Sequence, residues 1–366
     1  MLKLARNVFF TLIASLLVLM PACAGSSQDS PTSARETILI TDSIGREVEV
    51  PRNVERIAAL YSFAGYAVCL FGRGNDLVAV PGGLQRDKLL IQLFPQVANA
   101  SVPRTGGAIN AEELLKIKPD LVLVRSDTVV DEREAEKLDS AHIPYLVIDF
   151  STMDEQRATL MMIGKAIGKE AEAKRYDEYY AGIVDRVTRV TNDIPDAEKV
   201  RLYYSENQAN RTTDTSSVAA DWTKASGVIN VSVGQDLQQV DSDYYASIEQ
   251  ILLWDPEVVI ANETAAYDLI KGHPQWSAVK AVQDGKVYHM PNGISRWGHP
   301  GSVETPMALL WTAKTVYPDK FADVDIEEET RYYYQTFFNM DLDDETIAVI
   351  LKGGDMREPK AGAPAE

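Results

Sequence analysis

Cysteine is nearly missing from this chain: its 366 residues hold two, Cys23 and Cys69. That excludes a disulfide framework and a cysteine-built metal site. Histidine is scarce too, with four. His142, His273, His289 and His299 show no paired spacing of the H-x₃-H kind, which argues against a transition-metal site built by the protein itself. Basic residues are outnumbered, 36 Lys and Arg against 54 Asp and Glu, for a net charge of −18. Such a surface is a poor partner for nucleic acid or anionic lipid. No G-x-S-x-G elbow and no H-E-x-x-H helix occurs, so the motif-bearing hydrolases have no foothold. The Asp/Glu-rich stretch 323–329 lacks the glycine and spacing of an EF-hand loop and reads as a solvated helix start.

Long apolar runs are also lacking, with one short exception at the start. Lys3 and Arg6 precede Val8–Met20, a nearly continuous apolar segment too short and too early for a confident spanning helix. It fits the core of an export signal. Met20-Pro21-Ala22-Cys23 resembles a bacterial lipobox, with Met20 and Pro21 departing from the preferred Leu and small residue. On that reading residues 1–22 are the signal and Cys23 is lipidated. Ala22-Cys23-Ala24 also serves as an ordinary A-x-A cleavage site. Residues 23–37 are small and polar and read as a flexible tether. Removing 1–22 lowers Lys plus Arg from 36 to 34, for a charge near −20. Cys69, inside the apolar stretch Tyr66–Phe71, is expected as a small buried core residue.

What the chain does have is a segment used twice. Residues 109–124 and 246–261 align without a gap at an offset of 137, so that Pro119 falls on Pro256, Glu112 on Glu249 and Leu115 on Leu252. In both copies an N-cap residue, Asn110 or Ser247, stands three positions before Glu113 or Gln250, which predicts a capping box twice. A short helix follows, expected to bury Leu114, Leu115 and Ile117 in one copy and Ile251, Leu252 and Trp254 in the other. Pro119 and Pro256 end the helices. The unalternating runs Leu121–Val124 and Val258–Ala261 fit strands buried on both faces of a parallel sheet. One unit used twice implies two similar lobes with a ligand cleft between them.

The remaining segments fill in an α/β plan of two Rossmann-like lobes with central parallel sheets, joined by one long α-helix. Residues 38–150 form the N-terminal lobe, opening on a hairpin over Ile38–Val50, and residues 194–352 the C-terminal lobe. Between them, 151–193 has helical apolar spacing and no proline, and is expected as one helix of roughly 50–55 Å. A helical bridge is stiff, so only modest lobe motion is expected. The tail 353–366 is expected to be disordered.

Together these features resemble the helical-backbone class of substrate-binding proteins for ABC importers, whose members carry iron–siderophore chelates, haem, cobalamin and, in some cases, molybdate or tungstate. The resemblance rests on Thr41–Pro51 with Arg56-Ile57, on the two Glu-containing units, on Lys286-Val287-Tyr288, and on Pro300-Gly301-Ser302 with Leu310-Trp311. It implies a monomeric, exported, membrane-anchored receptor without catalysis or cofactor. Its partners would be an ABC permease dimer with its ATPase, with Glu112 and Glu249 docking onto permease arginines.

A ligand in such a fold lies beyond the carboxyl ends of the strands. Residues just past each strand therefore become the candidates: Tyr61, Arg86, Arg125, Ser205, Arg211, Arg296, Trp297 and His299. Arginines and aromatics suit a bulky anionic chelate, and His299 suits a bond to the chelated metal. A ferric siderophore is the leading expectation. A molybdate-type oxyanion, haem or cobalamin in the same fold is the alternative, and an exported metal-dependent enzyme the distant one. Gly82-Gly83 and Gly106-Gly107 keep the oxyanion open, because glycine lets backbone amides approach an anion.

Overall fold

The computed structural model describes residues 36–354 and 356–358. The expected signal 1–22, the lipidation site Cys23 and nearly all of the tether lie outside the described residues.

The first half opens on an antiparallel hairpin, β1 (Thr37–Thr41) and β2 (Glu47–Pro51). Asp42 sets its turn by accepting from the Ile44 and Arg46 N–H groups at 3.2 and 2.9 Å. There follow β3 (Ile57–Ala59), α1 (Ser62–Leu70), β4 (Leu77–Ala79), α2 (Lys88–Leu93), the two-residue strands β5 (Arg104–Thr105) and β6 (Ala108–Ile109), α3 (Ala111–Ile117), β7 (Leu121–Arg125), α4 (Ser126–Val130), α5 (Glu132–Ser140) and β8 (Tyr145–Ile148). Four of these strands form a parallel sheet in the order β4-β3-β7-β8.

The crossing to the second half corrects the expectation of a single helix over 151–193. The segment is two helices, α6 (Met153–Ala166) and α7 (Glu170–Thr191), folded back on one another. Arg157 on α6 pairs with Asp177 on α7 at 2.7 Å, and the Tyr180 hydroxyl donates to Gln156 at 2.8 Å. The break is a glycine C-cap. Gly168 has φ +68°, and the Lys169 N–H returns to the Gly164 carbonyl at 2.7 Å. One long helix still makes the passage, but it is α7 alone, 22 residues or about 33 Å.

The second half repeats the plan with β9 (Arg201–Ser205), β10 (Arg211–Thr212), α8 (Val218–Ala225), β11 (Ile229–Asn230), β12 (Gln238–Val240), β13 (Asp243–Tyr245), α9 (Ile248–Trp254), β14 (Val258–Ala261), α10 (Thr264–Gly272), α11 (Lys280–Gln283), β15 (Val287–His289) and α12 (Thr305–Val316). Its parallel sheet runs β11-β9-β14-β15, the same order as the first. The short strands β10, β13 and β12 make a separate antiparallel sheet. Two last helices, α13 (Ile326–Phe338) and α14 (Asp344–Leu351), complete the fold.

The repeated unit is repeated in geometry. β7 and β14 hold equivalent interior positions in their sheets. α3 and α9 both end on a left-handed residue, Lys118 at φ 48°, ψ 63° and Asp255 at φ 47°, ψ 63°. Alternate side chains of each strand serve two cores. Leu121 and Leu123, like Val258 and Ile260, face one central core, whereas Val122 and Val124, like Val259 and Ala261, face an outer helical layer. Two details differ from expectation. The full capping box forms at Ser247 but not at Asn110, because the Asn110 N–H donates to the Pro103 carbonyl and Glu113 turns to accept from Ser101 at 2.5 Å. Leu115 and Leu252, expected in the core, remain 48% and 36% exposed.

The central core runs through both halves. Tyr176 of α7 packs edge-on against Phe337 of α13 at 5.0 Å between ring centres. Residues 356–358, expected in a disordered tail, instead pair with the first half. Lys88 N–H donates to the Met356 carbonyl at 3.0 Å and Glu358 N–H to the Arg86 carbonyl at 2.8 Å. The remainder of the expected tail after Glu358 lies outside the described residues.

Candidate functional site

The carboxyl ends of the two parallel sheets meet at a cavity of about 170 Å³. Tyr61, Arg125, Ile148, Asp149 and Phe150 line it from the first half. The second half supplies Glu206, Arg211, Thr212, Thr213, Ser216, Ser217, Asp243, Tyr244, His299 and Gly301, among others.

Each wall has a local cause. β3 leads to Tyr61, which stands at the N-cap of α1 and gives that helix no side-chain cap. Its hydroxyl donates instead to the Pro300 carbonyl at 3.2 Å, and the Arg125 guanidinium lies 5.8 Å from its ring centre. Burial pushes the Tyr61 hydroxyl pKa up to about 12, against the lowering effect of Arg125. Arg125 itself, at the end of β7, is exposed at the mouth. On the facing wall Ser217 caps α8 by accepting from the Ala220 N–H at 3.2 Å, so a second helix begins at the cavity.

Arg211 is placed by the tight loop that follows β9. The Glu206 N–H donates to the Arg211 carbonyl at 2.8 Å. Asn207 takes φ +64° with its N–H on the Asn262 side chain at 2.8 Å, a conformation asparagine tolerates better than most residues. The Arg211 guanidinium then bridges Glu206 at 2.9 Å and Asp243 at 2.7 Å. Glu206 is buried, and burial raises its carboxyl pKa even against the pull of Arg211.

His299 lies deep in the protein yet keeps part of its ring open to the cavity. Burial, then the positive field of Arg296, Arg357, Arg211 and Arg125, holds its pKa well below the usual imidazole value, so the ring is neutral. The Gly301 N–H donates to Nδ1 at 2.9 Å, which puts the ring proton on Nε2. A Cβ at position 301 would come within 3.2 Å of that Nδ1, a tight contact that glycine avoids.

Four of the eight candidate ligand residues, Tyr61, Arg125, Arg211 and His299, line this cavity, and the other four stand elsewhere. Trp297 is fully buried in the central core and Ser205 is buried beneath the loop, donating to the Gln208 carbonyl at 2.9 Å. Arg296 pairs with Glu263 at 2.6 Å and with the Asn207 side chain, bracing the wall from behind. Arg86 belongs to a second polar cluster, donating to the Glu358 carbonyl at 3.3 Å. There buried Asp87 accepts from Tyr66 at 2.5 Å and pairs with Arg357 at 3.1 Å. Reading along the strand ends missed Glu206 and Asp243, which pair with Arg211 at the cavity, and the hydroxyl residues Thr212, Thr213, Ser216 and Ser217. That polar stretch was the available signal for the second wall. Among the described residues no group of three or more His, Cys, Asp and Glu is arranged to hold a metal ion.

Comparison with known proteins adds the context. A family model described as "Periplasmic binding protein" matches residues 90–293, more than half of the chain. The molybdate-binding protein MolA of Haemophilus influenzae is 25% identical, covering 89% of this chain and 96% of its own length. An uncharacterized ABC transporter substrate-binding lipoprotein of Bacillus subtilis is 22% identical, covering 84% of this chain and 95% of its own. A crystal structure of a periplasmic solute binding protein from Veillonella parvula superposes with a TM-score of 0.74 at 25% identity, covering 86% of this chain and 97% of that one.

Proposed function

Because this chain belongs to the periplasmic binding protein family, we propose that it is the extracytoplasmic solute receptor of an ABC importer and that its solute is a compact oxyanion of the molybdate class. It is a binding protein and not an enzyme. The observation that carries the ligand reading is the donor set of one small cavity. Two arginines come from the two halves, two helices begin at its walls, the hydroxyl residues Thr212, Thr213, Ser216 and Ser217 line one side, and neutral His299 offers Nε2–H. Converging donors of this kind hold an anion without needing a metal. A space of about 170 Å³ suits a small tetrahedral ion and is cramped for haem or cobalamin. The Haemophilus relative supports the same class.

A compact metal chelate is the second reading, and it has its own observation. Asp149, Glu206 and Asp243 stand on the same walls and would accept from N–H or O–H groups that a bare oxyanion lacks. Isothermal titration and thermal unfolding separate the two. Molybdate and tungstate should raise the melting temperature, increasingly with the logarithm of their concentration above Kd, with a ferric tris-catecholate and haem inert. Stabilisation by the catecholate alone would reverse the assignment.

On this reading the receptor is exported and held at the membrane through Cys23. Glu112 and Glu249, both exposed in the first turns of α3 and α9, are its docking acids. Glu112→Ala with Glu249→Ala is expected to abolish transport and leave molybdate affinity unchanged. Loss of affinity in that variant would mean the acids serve the fold or the cavity.

A further inference from the structure

We propose that each docking acid is one half of an acid–leucine pair, and that Leu115 and Leu252 insert into apolar sites repeated on the two subunits of the permease. The inference rests on the importer reading above. Its basis is a conflict between pattern and structure. Leu115 and Leu252 occupy equivalent positions in the duplicated unit and follow Glu112 and Glu249 by three residues. Residues three apart share a helix face. The neighbouring Leu114 and Ile251 are buried, at 1% and 0% exposure, and satisfy the core, while the two leucines stay 48% and 36% exposed. The fold covers only part of each leucine, and both copies of the unit present the uncovered part beside an exposed acid.

The pairs stand on one edge of the molecule. The C-terminal end of α3 sits at the start of β3, where Arg56 donates to the Ile117 carbonyl at 2.6 Å. Arg201, at the start of β9, reaches the Trp254 carbonyl at the end of α9 in the same way at 2.5 Å. Both helices therefore begin at the edge where the strands end, the edge that carries the ligand cavity. A partner that meets both pairs at once must present the same basic-plus-apolar site twice, as a dimeric permease does.

The two sides are not identical. Leu253 is 84% exposed where the first copy has Lys116, and a hollow of about 510 Å³ beside α9 is lined by Ile248, Ala265, Leu269 and Trp276. The second half thus offers the larger apolar area. The charge of the acid steers and orients the encounter, and the leucine supplies the short-range affinity.

The test is photo-crosslinking in the full chain in its own membranes, with the crosslinker placed at 115, at 252 and, as the control, at exposed Ile229, which starts β11 on the opposite edge of the sheet. One permease polypeptide should be captured from 115 and 252 and not from 229. The captured permease–ATPase complex, reconstituted in nanodiscs, then reports docking affinity. Leu115→Ser and Leu252→Ser should each weaken docking roughly tenfold, with melting temperature and molybdate affinity unchanged. Leu115→Ala and Leu252→Ala provide milder versions if the serine variants lose stability. If the Glu112→Ala, Glu249→Ala protein loses docking while the leucine variants dock as wild type does, the leucine inference is overturned and the importer reading stands. Capture of a second copy of this chain, or of no permease from any position, overturns both.

Discussion

Buried Glu304 joins single-residue chemistry to the binding loop. It accepts from the Ser295 N–H at 2.6 Å, from the Ser295 hydroxyl at 2.5 Å and from Tyr334, and so holds the segment that carries His299 and Gly301. Burial raises its pKa from 4.5 to about 7. The folded state then binds a proton that the unfolded chain has released. The resulting stability is full below about pH 4.5 and is lost as pH rises through about 7, an effect on the order of 3 kcal/mol. Asp87, raised to about 6 by burial, adds to the same trend. Melting temperature should therefore fall between pH 5 and 7.5, and Glu304→Gln should remove most of that fall. An unchanged slope in the variant would mean that Glu304 is ionised throughout. At the cavity, Arg211→Ala should weaken molybdate binding at least tenfold, because it removes a donor and leaves buried Glu206 without its counter-charge. Calorimetry measures this directly. The sequence made Arg211 a candidate by its place after a strand, but one carboxylate that holds it, Asp243, arrives from another segment, and the other, Glu206, reaches it only through a turn at Asn207 that composition does not reveal.

Among the elements, the α6–α7 hairpin shows best what periodicity omits. Apolar spacing from Leu160 to Val187 is helical throughout, and so it reads as one rod. The turn depends on Gly168 entering the left-handed region, and the close approach depends on Gly164, where a Cβ would collide with the Ala173 methyl. Gly164→Ala should cost about 1–3 kcal/mol by overpacking this contact, read as a lower urea midpoint at unchanged m-value. A neutral substitution would show that the helices separate freely. The strands, by contrast, were legible almost to the residue. Tyr145–Ile148 and Val258–Ala261 are apolar because both faces are covered, and that requirement leaves its mark directly in composition. The little sheet of β10, β12 and β13 left no such mark, because Gln238–Val240 is exposed along its whole length.

For the molecule as a whole, one core passes through both halves and α7, and α13 packs against the crossing helix through Tyr176, Tyr333 and Phe337. Such a joint resists bending, so ligand should stabilise this protein without closing it much. Small-angle scattering with and without molybdate should give nearly the same radius of gyration, and a large contraction would argue for a hinge. The duplicated helix–strand unit, the parallel sheets and the outward acids followed from the sequence alone, because caps, periods and apolar runs are local properties of the chain. Only the tertiary structure decided which strand-end residues share a cavity, that Trp297 belongs to the core, and that Leu115 and Leu252 face water. Each of these depends on what stands opposite in space, and an opposite surface arrives from segments 50 to 250 residues away, as Tyr61 and Pro300 do.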